Sequence, residues 1–263
     1  MKTLLISILA LLSFQVSADD YPEYEKHVYT DKKYSSKASL PYRMLLPANF
    51  DSSKSYPLIL FLHGAGERGN DNEAQLTHGA ALFLNPSFRN RIPAVVVFPQ
   101  AAQDDYWVNV DVDRSLSGNT FYFKADAPKT QSMSLLLDLI DELGNRAFID
   151  QHNMLVMGLS MGGMGTYDLL ATRPNTFKAA VAICGGAHPQ LGAEIAPTPV
   201  WAFHGDQDKV VPLSASQVIV DAINTKGGNA KLTVYEGVEH NSWDNAFAEP
   251  ELLTWMFSHV DTF

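Results

Sequence analysis

The chain has 263 residues, 46% of them hydrophobic, which is enough apolar material for one domain with a sizeable core. Its formal net charge is −10 at pH 7. Past the first few residues there is no run of Lys and Arg, which excludes a nucleic-acid partner, since phosphates must be met by clustered cations.

In chain order, the first segment is "MKTLLISILALLSFQVSADD": a Lys near the N-terminus, an apolar run, then Val16-Ser17-Ala18. This is the layout of a signal peptide over residues 1–18, cut after Ala18. The run is short for a membrane span. An exported protein, periplasmic or secreted and without stable membrane insertion, is expected, with residues 19–263 as one domain. "HVYT" and "PYRMLLP" read as extended segments with no helix between them, so they predict an antiparallel edge. "YPLILFLHGAG" and "PAVVVFPQ" are apolar runs typical of buried strands. Residues 108–128 read as a long loop. "SMSLLLDLIDELGN" predicts an amphipathic helix closed by Gly144, "HNMLVMGLS" a strand, and "MGTYDLLATRPN" a helix broken near Pro174. "KAAVAICGG" and "TPVWAFHG" are strands, "SASQVIVDAINTKGG" a helix, "KLTVYEGV" a strand and "AFAEPELLTWMFSHV" the last helix.

Near-continuous apolar strands separated by helices predict an α/β fold, a mostly parallel sheet with helices on both faces. Ligands of such sheets sit beyond the carboxyl ends of the strands. His63-Gly64, Ser160, His204-Gly205 and His240 all lie where apolar runs end.

Gly158-Leu159-Ser160-Met161-Gly162 fits G-x-S-x-G, a sharp strand-to-helix turn that lifts a hydroxyl clear of the backbone. The Met161 N–H at the helix start would face a developing oxyanion. The pattern lacks the Gly-Lys-Ser/Thr ending of a phosphate-binding loop. A hydroxyl needs a base, and a triad in this order places acid and then His after the Ser. His240 in "EHNSWDN" is the better base; His259 falls near the end of the last helix. Asp206 and Asp208 both follow "TPVWAFHG", and spacing leaves them nearly even. Asp244 and Asp168 are weaker, one near the last helix and one on a helix face. The run "FLHGAGERG" would supply a second N–H from Ala65 or Gly66, with His63 bracing the loop. Glu67 and Arg68 are expected to pair across it, or Arg68 to face a substrate carboxylate. The single Cys, Cys184, precludes an internal disulfide, and its apolar setting marks a small buried hydrophobe, not a nucleophile.

The segments "YRMLLPANFDSSKSYPLILFLHGAGERG", "GLSMGGMGTYDLLATRPNTF", "WAFHGDQDKVVP" and "GVEHNSWDNAF" together resemble the α/β-hydrolase superfamily. The likeness is to single-domain bacterial esterases of the carboxylesterase/phospholipase-like and feruloyl-esterase-like kind. The resemblance implies Ser160 as nucleophile, Asp208 rather than Asp206 as acid, His240 as base, and the N–H groups of Ala65 and Met161 as oxyanion donors. It implies a serine carboxylic-ester hydrolase that forms an acyl-enzyme and needs no cofactor, exported if the signal-peptide layout holds. Its substrate would be a small-molecule or polysaccharide-linked ester, such as an acyl or feruloyl ester of a polysaccharide, with a serine peptidase as the alternative and a non-catalytic binding protein as the less favoured one. Trp107, Tyr122 and Phe123 could line a pocket for an aromatic or sugar face, or pack the loop onto the domain. Trp243 could wall the site or sit behind the base. Asp111 and Asp113 alternate as calcium ligands do, but Gly118 is misplaced for the usual calcium loop, and no zinc motif occurs. No metal is expected, and the oligomeric state is not fixed by the sequence.

Overall fold

Alternation along the strands sorts the core into two layers. The computed structural model describes residues 21–31, 33–34, 38–116 and 118–261; the expected signal peptide lies outside them. In chain order come strands β1 (Tyr24–Tyr29), β2 (Leu40–Leu45) and β3 (Tyr56–Leu62), helices α1 (Ala80–Leu84) and α2 (Pro86–Arg89), and strands β4 (Val95–Pro99), β5 (Val110–Leu116) and β6 (Gly118–Phe123). Then follow α3 (Gln131–Gly144), β7 (Ile149–Leu159), α4 (Met161–Thr172), β8 (Phe177–Ile183), α5 (Gly192–Ile195) and β9 (Val200–Gly205). The chain closes with α6 (Leu213–Thr225), β10 (Ala230–Tyr235), α7 (Trp243–Phe247) and α8 (Leu252–Phe257).

Eight strands form one sheet in the order β1-β2-β4-β3-β7-β8-β9-β10. The β1–β2 and β2–β4 pairs are antiparallel, as the missing helix between the first two strands predicts, and the rest are parallel. Leu58, Leu60, Val95, Val97 and Val156 face one layer, with Leu136, Leu139, Tyr167 and Ile219 from α3, α4 and α6. Their neighbours Ile59, Phe61, Val96, Phe98 and Met157 face the other, with Phe83, Phe88, Ala246 and Met256 from α1, α2, α7 and α8. Burial on both faces is why these strands are apolar at every position. Each fully buried aliphatic or Phe side chain contributes about 1.5–3 kcal/mol of transfer free energy. The mostly parallel sheet with helices on both faces is the α/β-hydrolase fold.

Two elements differ from the sequence expectation. Residues 108–128 are not merely a loop: β5 and β6 pair antiparallel as a separate two-stranded sheet, with Val110 opposite Phe123 and Val112 opposite Phe121. Apolar residues at alternate positions on both arms favour that pairing. The last helix is two short ones, α7 and α8. Pro250 between them lacks an N–H and cannot continue a helix from the preceding turn. Among the described residues no helix is long and apolar enough to cross a membrane.

Candidate active site

The turn after β7 is built by glycines. A Cβ on Gly158 would lie 2.2 Å from the Gly162 carbonyl oxygen, and one on Gly162 would lie 1.9 Å from the Leu62 carbonyl oxygen. Only Gly permits that approach of α4 to β3 and β7. Ser160 itself takes φ 52° and ψ −118°, a strained conformation for a residue with a side chain. Its N–H donates to Ile183 O at 2.8 Å, which ties the bend to β8. Met161 is the first residue of α4, so its N–H has no partner inside the helix.

The loops after β9 and β10 bring Asp208 and His240 to this bend. His240 Nδ1 lies 2.7 Å from Asp208 Oδ2, and Nε2 lies 2.9 Å from Ser160 Oγ. A carboxylate only accepts, so Nδ1–H donates to Asp208 and Nε2 is left to accept the Ser160 proton. Asp206 stays out of this array: its Oδ1 accepts from the Gly237 N–H at 2.8 Å. Burial alone would raise the Asp208 carboxyl. Hydrogen bonds from His204 and His240 and the backbone N–H of Val211 outweigh burial and hold it well below the usual carboxylate range. The Trp243 ring stands edge-on to His240, centroids 5.5 Å apart, and touches His78 on its far side. Asp168 pairs with Lys129, Asp244 accepts from Asn241, and His259 Nδ1 lies against Trp255 O.

Cys184 corrects the sequence expectation. Its Sγ, a carboxylate oxygen of Asp208 and a ring nitrogen of His240 all lie within 4.8 Å of one another. The thiol adjoins the Asp208–His240 couple and is not a hydrophobe apart from it. The Asp208–His240 couple therefore faces a thiol as well as a hydroxyl. The description of a serine ester hydrolase built on three residues, the label of serine esterase and the serine peptidase kept beside it are set aside. In their place stands a site of this fold in which Cys184 adjoins Asp208 and His240. The thiol is fully enclosed, and burial first, then the charge of Asp208, push it well above its ordinary range. Ser160 is partly exposed.

The loop after β3 is tightly braced. The Ala101 N–H donates to His63 Nε2 at 3.0 Å, so His63 Nδ1–H donates to Gly64 O, 2.6 Å away. Burial pushes His63 down to about 4, which keeps it neutral. Trp107 is wholly buried, and its indole N–H donates to His63 O at 3.1 Å, so its ring holds the loop in place. Ala65 opens a short 3-10 turn, Ala65–Glu67, that leaves its N–H without a partner inside the turn. A Cβ on Gly66 would meet nothing within 4 Å. Arg68 does not pair with Glu67. Its guanidinium donates to Ala65 O at 2.8 Å and Asp105 O at 3.3 Å and covers the Tyr106 ring. Glu67 sits 3.8 Å from His78, and burial raises its carboxyl.

The β5–β6 hairpin flanks the loop that carries Asp208. Asn119 donates to Val210 O at 2.9 Å, two residues from Asp208. Phe121 and Phe123 stack and, with His188, Pro212, Ala215 and Val218, line an open groove of about 710 Å³. Tyr122 is 53% exposed. Asp111 pairs with Lys124, and Asp113 accepts from the Ser115 N–H.

With this geometry, a family model for phospholipase/carboxylesterase matches residues 50–251. The chain belongs to that family. A bifunctional acetylxylan esterase/xylanase XynS20E of Neocallimastix patriciarum is 28% identical to this family member over 183 residues, covering 69% of this chain and 23% of that protein. A probable feruloyl esterase C of Aspergillus terreus is 24% identical over 172 residues, covering 65% of this chain and 56% of that protein. The chain thus spans under two thirds of either relative. The crystal structure of a thermostable esterase superposes with a TM-score of 0.79 at 30% identity, covering 90% of this chain and 63% of that one.

Proposed function

We propose that the protein hydrolyses carboxylic esters, with His240 as general base and acid and Asp208 holding its tautomer. The observation that carries this reading is the unbroken array from Asp208 through His240 Nδ1 and Nε2 to the partly exposed Ser160 Oγ. In it His240 takes the proton of the attacking group and passes it to the leaving alcohol, and water repeats the exchange. The N–H groups of Met161 and Ala65 hold the oxyanion. Each such donor is worth about 3 kcal/mol of barrier. The groove under Phe121 and Phe123, lined by Pro212 past the Asp208 loop, suits a substrate that presents a ring, an aromatic acyl group or a sugar face. The esterases among the relatives support the ester class.

A panel of aryl acetates, long-chain esters, feruloylated sugars and peptides tests the reading with the purified protein. Turnover of esters and not of peptides supports it; cleavage of peptides alone overturns it. Ser160→Ala and Cys184→Ala then separate the two groups beside the couple. Loss of turnover in one variant and not in the other identifies the group whose proton His240 takes.

A further inference from the structure

The couple has a second imidazole behind it. His204, next to last in β9, has no exposure to solvent. Its Nε2 lies 2.9 Å from Val211 O and 3.2 Å from Asp208 Oδ2. Both oxygens only accept, so Nε2 carries a hydrogen. Its Nδ1 lies 2.8 Å from Ser216 Oγ. The Ser216 hydroxyl has one hydrogen and donates it to Gly185 O, also 2.8 Å away. What the hydroxyl turns toward Nδ1 is therefore a lone pair. An imidazole that faces acceptors on both sides satisfies them only by donating from both.

We propose that His204 carries a hydrogen on both ring nitrogens in the resting protein and acts as a fixed, buried counter-ion that positions Asp208. The Asp208 side chain is itself fully enclosed. Its Oδ1 accepts the N–H groups of Val210 and Val211, at 2.8 and 2.9 Å, and its Oδ2 is shared by the two imidazoles. A buried carboxylate is costly unless paired and fully hydrogen-bonded. His240 cannot be a constant partner, because its charge changes in each turnover. His204 can, since its hydrogens are committed to oxygens that stay in place. The protonated thiol of Cys184, the other titratable neighbour of Asp208, adds no charge. His204 touches no substrate; it is a positioning residue that keeps Asp208 in one place while His240 cycles.

The role in turnover rests on Asp208 and His240 being the working couple; the hydrogen count does not. The test is the nitrogen-15 spectrum of histidine-labelled full-length protein at neutral pH. His204 is assigned by difference with His204→Gln, or with Ser216→Ala if that variant does not fold. Two slowly exchanging ring N–H signals from His204 are expected. One N–H beside an unprotonated nitrogen overturns the proposal whatever the activity. In turnover, His204→Gln retains one donor and is expected to lower kcat about tenfold with KM unchanged, and His204→Phe to lower it further. An unchanged kcat in both variants, with the fold intact, overturns the positioning role.

Discussion

Ser160 concentrates what one residue can hold: a left-handed backbone, a hydroxyl against an imidazole, and an N–H tied to β8. Its G-x-S-x-G setting was legible in the sequence because only small residues survive so crowded a bend. His240 was legible from its order in the chain. The choice of Asp208 over Asp206 was not legible from spacing, since two residues on one loop differ only in where they point. Cys184 was missed as a partner of Asp208 because its apolar run marks only burial; His204 was placed at a strand end, but its contact with Asp208 was not legible from spacing. Asp208→Asn is expected to cut ester turnover on the order of 10³–10⁴-fold, as tautomer control is lost. Asp206→Asn should cost little beyond its turn; the comparison of kcat/KM for the two variants checks this. At Tyr167, fully buried in α4, the hydroxyl has no hydrogen-bond partner among the described residues. Tyr167→Phe removes an unpaid desolvation cost. It should leave the urea midpoint unchanged or raise stability by about 1 kcal/mol, and a loss of that size would contradict the assignment.

Among the elements, β3, β4, β7, β8 and β9 were the most legible, because strands buried on both faces are unbroken apolar runs. The β5–β6 hairpin was not, because its polar residues, such as Asp111, Asp113 and Thr120, mask the alternation of Val110, Val112, Phe121 and Phe123. Helices α1 and α2 span four or five residues, too few for any helical period to show. The seam between α4 and β3 depends on Gly162. Gly162→Ala would drive a Cβ into the Leu62 carbonyl, backbone against backbone. A loss above about 3 kcal/mol in urea unfolding, or failure to fold, is expected. The hairpin carries a different expectation. Phe121→Ala should raise KM for feruloyl esters roughly tenfold, the worth of one aromatic contact with its buried area, and leave kcat and the hydrolysis of short acetates unchanged. An equal effect on both substrates would remove the groove from substrate choice.

For the molecule as a whole, pH acts through the same groups that build the site. His63 falls from 6.5 to about 4 on folding. Between those values the unfolded chain takes up a proton that the folded chain refuses, so stability falls as pH falls. Across the window this amounts to roughly 3 kcal/mol. Asp208 is held below its unfolded value, so its contribution is present above about pH 4 and is lost at lower pH. Urea unfolding from pH 7 to pH 4 should show this decline, and His63→Gln should flatten it. The account as a whole stands on His240 being the base of an ester-cleaving couple, and the rate of aryl acetate hydrolysis by His240→Ala, in protein shown folded by circular dichroism, tests it most directly. A fall in kcat on the order of 10⁴-fold is predicted. Turnover within about tenfold of the wild-type value would contradict it, because the imidazole 2.9 Å from Ser160 Oγ would then move no proton that matters.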